Sequence, residues 1–129
     1  MEENNKIIAE FMGFTFEKNI GYYDNEMLLE QIVYEQQNGN CFDELLFNKD
    51  WNWLMAVVEK IETMSNNDQF YIIVEYDNRD EFKGWVWRID RFVKTLKVND
   101  NRIKTKIEAT YNACLEFIKW YNQNKQKEE

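Results

Sequence analysis

Hydrophobic positions recur at two periods along this chain, and each change of period marks an element. From Glu2 to Phe11, the residues Ile7, Ile8 and Phe11 fall at helical spacing, and Gly13 stands ready to end a short first helix. Phe14, Phe16 and the Tyr22-Tyr23 pair around Gly21 read as extended pieces with a bend. The stretch from Asn25 to Gln37 admits two readings. Met27, Leu28, Leu29, Ile32, Val33 and Tyr34 fit one face of a helix, an aromatic-rich hairpin fits the same residues, and Asn38-Gly39-Asn40 stops either.

Further along, the pattern is sharper. Asp50 is placed to cap a helix running to about Met64, with Leu54, Val57, Val58 and Ile61 as its apolar stripe. Ser65-Asn66-Asn67-Asp68 breaks it, and the period then drops to two. Phe70, Ile72, Val74 and Tyr76 alternate with Tyr71, Ile73 and Glu75, which predicts a strand partly covered on both faces. After a turn at Asp77-Asn78-Arg79-Asp80, Trp85, Trp87 and Ile89 share one face of a second strand, with Val86, Arg88 and Asp90 on the other. Phe92 to Val98 forms a third strand or continues the second, and the short loops imply antiparallel pairing. Thr105 with Glu108 three residues on is a capping box for a last helix striped by Ile107, Tyr111, Cys114, Leu115, Ile118 and Tyr121.

With no repeat, no linker and no proline, the chain reads as a single α+β domain over residues 1–129. The expected architecture is an antiparallel sheet of three to five strands from about Phe70 to Val98, joined by the earlier extended piece near Phe14 to Tyr23. Helices at Asp50 to Met64 and Thr105 to Asn122 pack on it, and the polar tail 123–129 is expected to fray. The apolar share of 44%, with 16% aromatics, is far above what keeps a chain disordered.

Charge is uneven. Residues 1–78 carry 4 basic and 16 acidic side chains, whereas residues 79–106 carry 9 basic and 4 acidic, within a chain of net charge −8. One reading is that the middle segment neutralises the acidic first part. The other is that its cations and aromatics attract an anion, with Arg88, Arg91, Lys94, Lys97 or Arg102 meeting phosphates and Tyr71, Trp85 or Trp87 stacking on a base. Two tryptophans two residues apart more often bury together against a helix. Arg88 points away from them and is the foremost single candidate for ligand contact.

The strings Asp50-Trp51-Asn52-Trp53-Leu54-Met55 and Val57-Val58-Glu59-Lys60-Ile61-Glu62 are read with the later stretch from Thr105-Lys106-Ile107-Glu108-Ala109 to Trp120-Tyr121-Asn122. Together with the opening Ile8-Ala9-Glu10-Phe11-Met12-Gly13, they resemble the phage ABA sandwich domain family, over roughly a third of the chain. The resemblance implies a three-layer α-β-α sandwich and a compact accessory protein of a phage or prophage, and it brings no catalytic residues. Ala56 stands where that pattern commonly has proline, and residues 22–48 look like an insertion.

Chemistry narrows the function further. The absence of histidine and the presence of a single serine exclude imidazole-based nucleophilic catalysis and the usual zinc hydrolysis. Four glycines, at 13, 21, 39 and 84, cannot write a phosphate loop or a dinucleotide fingerprint. Asp77 to Glu81 has acidic ligands at calcium-like spacing but lacks the glycine and terminal glutamate of an EF-hand loop. Cys41 and Cys114, far apart and outside any CxxC, read as small buried hydrophobes in a reducing compartment.

No apolar run is long enough to span a membrane and the first residues are acidic, so the expected location is the cytoplasm of an infected or lysogenic cell. The expectation is therefore a non-enzymatic binding protein needing no cofactor or metal. Its first-choice ligand is an anionic, nucleotide-like small molecule such as a host immune signal, bound without turnover in an anti-defence role. The alternative is an acidic interaction module that blocks a basic or nucleic-acid-binding host protein. The abundance of tyrosine and tryptophan adds an expectation of homo-oligomers, and neither a membrane nor extended nucleic acid is an expected partner.

Overall fold

A computed structural model of the chain describes residues 2–23, 27–36, 41–42, 44–64, 69–79, 81, 83–91, 94–99 and 101–127. The fold is α+β, with helices and antiparallel sheet as expected. Three helices, α1 (Glu2–Phe11), α2 (Trp51–Thr63) and α3 (Lys106–Lys127), accompany six strands: β1 (Thr15–Tyr23), β2 (Met27–Glu35), β3 (Cys41–Phe42), β4 (Phe70–Asp77), β5 (Gly84–Arg91) and β6 (Lys94–Val98). The chain divides into two compact units, Met1–Leu46 and Phe47–Glu129.

In the first unit, α1 ends where Gly13 adopts a positive φ of 84°. Its amide donates to Glu10 O at 3.1 Å and the amide of Phe14 donates to Ala9 O at 2.8 Å, the paired bonds that close a helix through a left-handed glycine. One open reading is decided here and one expectation is corrected. Residues 27–35 are the strand β2 and not a helix: β1 and β2 pair antiparallel over nine positions, from Thr15 opposite Glu35 to Tyr23 opposite Met27. Helical spacing and a hairpin's alternation both accommodate so apolar a run, and pairing with β1 decides it. The extended piece near Phe14 to Tyr23 belongs to the sheet β1-β2-β3 and not to the sheet of residues 70–98. Residues 25–26 and 37–40 lie outside the described residues. Phe14 stacks on Phe42 at 6.2 Å, and Asn5, a buried polar side chain, donates to Leu45 O at 3.3 Å.

In the second unit, Asp50 caps α2 by accepting from the Asn52 amide at 2.8 Å, and the whole predicted stripe Leu54, Val57, Val58 and Ile61 is buried. Residues 94–98 form a third strand, with the register slipping between Ile89 and Asp90. The sheet order is β4-β5-β6. Thr105 caps α3 by accepting from the Glu108 amide at 3.2 Å, and α3 continues helical through Lys127, into the stretch where fraying was expected.

Both helices pack on β4, α3 also packs on β5, and the two helices touch each other, so they share one face of this sheet. On that face Phe70 meets Phe117 edge-on at 4.9 Å and Trp120 at 5.7 Å. The register places Phe70, Ile72, Val74 and Tyr76 there beside Arg91, Ile89, Trp87 and Trp85. This unit taken by itself has two layers. Its other sheet face carries Tyr71, Ile73, Glu75, Val86, Arg88 and Val98.

Candidate binding groove and the basic segment

The alternation that put Trp85 and Trp87 opposite Arg88 holds, and it separates the cations. Arg88 lies on the outer face with its Nε donating to Asp90 Oδ2 at 3.1 Å and one guanidinium nitrogen 4.0 Å from Glu75. Tyr71 shares that face and is exposed. Arg91 lies on the helix face, its guanidinium 5.7 Å from the Phe70 ring centre and 5.9 Å from that of Trp120. Lys94 stands opposite Arg91 in register and is exposed. Lys97 reaches Glu116 of α3 at 3.4 Å. Arg102 donates to Asp77 Oδ2 at 2.7 Å.

Trp87 is buried in the core. Trp85 is half-buried, edge-on to Tyr76 at 5.3 Å, with the Lys106 ammonium 5.8 Å over its ring. The eight expected ligand residues are thus divided: Arg88 with Tyr71 on one face, Trp85, Trp87, Arg91 and Lys97 on the other, Lys94 in register with Arg91, and Arg102 at the sheet end.

Asp77 is the most heavily subscribed carboxylate. It accepts from Arg79 Nε and NH2, from the Arg79 amide and from Arg102. The hydrogen bonds from Arg79 chiefly, with the charges of Arg79 and Arg102, hold its carboxyl well below the usual carboxylate range. The acid that began the calcium-like run is therefore spent on guanidinium, and the described residues contain no group of three or more histidine, cysteine or acidic side chains able to hold a metal. Cys114 is fully buried, as expected, and burial, with the Glu62 charge as a lesser cause, pushes its thiol up. The Cys41 side chain lies outside what is described.

What the residues do bring together is a groove of about 380 Å³ between α2, β4 and the first turns of α3. Trp51, Met55 and Val58 form one wall, Ile72 and Val74 the floor, and Lys106 and Thr110 one end. Trp51 is 40% exposed and Met55 48%. Sequence reasoning passed over both, although the signal was legible: four residues apart, they extend the apolar surface of α2 beyond the stripe that Leu54, Val57, Val58 and Ile61 already fill. The Thr110 hydroxyl is occupied, donating to Lys106 O at 2.8 Å. The groove is therefore an apolar trough with one ammonium, and it lacks the convergent donors that a phosphate demands.

Glutamates flank one side of it, and one more lies on the far face of β4. Glu59 and Glu62 line the adjoining hollow on α2, and Glu75 stands on β4. Glu62 also reaches the sheet, where its Oε2 accepts from the Ile72 amide at 3.2 Å.

No family model, no curated protein and no solved structure matches the chain. No helix among the described residues is long and apolar enough to cross a membrane.

Proposed function

We propose that the protein is a non-catalytic interaction module that occupies a basic partner protein through the groove between α2 and β4. The observation that carries this reading is the pair Trp51 and Met55, standing exposed over Ile72 and Val74 with Glu59 and Glu62 in the hollow that adjoins Met55. Exposed tryptophan and methionine side chains supply the apolar anchor typical of protein interfaces, and the adjoining carboxylates select a partner by charge. The excess of carboxylates in residues 1–78 adds long-range attraction for the same class of partner. The resemblance to the phage ABA sandwich family supports an accessory role for a phage or prophage, blocking a host protein in the bacterial cytoplasm.

Sequestration of a nucleotide-like immune signal is the lesser reading. It asks for free cations converging on one place, and Arg88, Lys97 and Arg102 are committed to carboxylates while Arg91 lies on aromatic rings.

Affinity capture from bacterial lysate separates the two. Wild-type and Met55→Lys proteins are compared at low and high ionic strength, and the bound proteins are identified by mass spectrometry. The expected result is enrichment of basic proteins by the wild type, lost with Met55→Lys and weakened by salt. Capture of the same set by both proteins overturns the proposal, and saturable tryptophan quenching by a cyclic nucleotide or an ADP-ribose derivative would restore the lesser reading.

A further inference from the structure

The groove runs along a strand edge whose backbone is open. Trp85 and Trp87 of β5 bond away from β4: the Trp85 amide donates to Ile103 O at 2.8 Å, and the Trp87 amide donates to Asn99 Oδ1 at 2.7 Å. In an antiparallel ladder the residues opposite them must then also point away from the shared line of bonds. Those residues are Tyr76 and Val74. The Ile72 amide, next in the same phase, confirms the direction by turning outward to Glu62. β4 is the last strand on this side of its sheet, and among the described residues the outward amides and carbonyls of Val74 and Tyr76 meet no partner. Their side chains lie on the groove face, and Glu75 between them lies on the outer face.

Resting on the function proposed above, we propose that the partner adds an extended segment to β4 as a further strand, alternating apolar and basic residues. Its main chain bonds to Val74 and Tyr76. Its apolar side chains enter the groove against Trp51, Met55, Ile72 and Val74, and its basic side chains fall on the outer face against the exposed Glu75, which Arg88 reaches only at 4.0 Å while bonding Asp90 at 3.1 Å. The period of two in any strand makes this alternation a requirement, because one face of the added strand meets the groove and the other meets the carboxylate.

A second copy of this chain is the poorer occupant. The two-fold pairing that uses both open amides sets Val74 against Tyr76 of the other copy, and this brings the two copies of Glu75 face to face, where like charges repel. Glu62 over the Ile72 amide further shortens the edge available to such pairing.

The test uses the full chain and a synthetic peptide of alternating valine and lysine, with its valine–glutamate counterpart as control, followed by tryptophan fluorescence. The valine–lysine peptide is expected to bind and the control to fail, with the preference reversed by Glu75→Lys. N-methylation of alternate residues reads the backbone directly. Methyl groups on the valines abolish binding if the added strand is antiparallel, and methyl groups on the lysines abolish it if the strand is parallel, while the other set leaves binding intact. Val74→Pro removes one outward amide without touching the β4–β5 bonds and should weaken binding by about tenfold or more.

Equal binding by both N-methylated peptides overturns strand addition and leaves the groove reading standing. Failure of every valine–lysine peptide overturns strand addition too. The groove reading falls separately, if Met55→Lys leaves capture unchanged. A concentration-dependent dimer broken by Val74→Pro would assign the edge to a second copy and overturn the proposal.

Discussion

Two strands of the sheet in residues 47–129 treat their outward backbone groups in opposite ways. On the central strand β5, the groups of Trp85 and Trp87 that point away from β4 are met beyond the end of β6: Ile103 exchanges two bonds with Trp85, and Asn99 takes both the amide and the carbonyl of Trp87. Arg102 then ties that end of the sheet to Asp77. On the β4 side one glutamate covers one amide, and the neighbouring apolar side chains Trp51, Met55 and Tyr76 remain exposed. An open edge is a liability that proteins usually blunt. The β4 edge stands open next to an apolar groove, which points to it as the part that works, whereas the covered end of β5 is the part that stabilises.

The sharpest way to break this contrast is at the covered end of β5. Gly84 has a φ of 155°, and a Cβ there would sit 2.7 Å from Arg102 Cβ, so the close approach of the 102–103 segment to β5 depends on glycine. Gly84→Ala should cost about 1–3 kcal/mol, read as a lower urea midpoint. A change within error would show that the segment is not held as described.

The ion cluster at Asp77 provides a pH-dependent comparison. Because the folded-state carboxyl is held below its unfolded value, its stabilising contribution is fully present above the ordinary carboxylate pKa and is lost as pH falls through the folded value. Asp77→Asn should therefore lower the urea midpoint at neutral pH, and the gap to wild type should narrow progressively in acid. A gap that is constant with pH would remove the ion cluster from the account.

The smallest expected effect on stability lies at the open edge. Met55→Ser, at an exposed site, should shift unfolding by no more than about 0.5 kcal/mol while weakening capture of the partner. A large loss of stability would instead make Met55 part of the core.

Much of the second unit was legible in the sequence because its local signals agree with its packing. Asp50 and Thr105 cap the helices they were expected to cap, the α2 stripe is buried residue for residue, and Trp87 lies in the core with Arg88 turned away from it. Residues 27–35 were not legible, since a run so rich in apolar residues satisfies both periods. The expected cation cluster was only partly legible for a related reason: nine cations in 28 residues register as a cluster along the chain, but alternation in β5 puts Arg88 and Arg91 on opposite faces.

By itself the sequence determined the helices α2 and α3, the strands β4 and β5, the helix caps and the strand faces, because these follow from periods and hydrogen bonds between near neighbours, while it left residues 92–98 open between a third strand and a continuation of the second. Only the tertiary structure decided which cations are spent on which carboxylates, that Trp51 and Met55 stand over Ile72 and Val74, and that β4 presents an edge beside them. Each of those depends on residues far apart in the chain arriving at one place, and the separation along the chain carries no record of it.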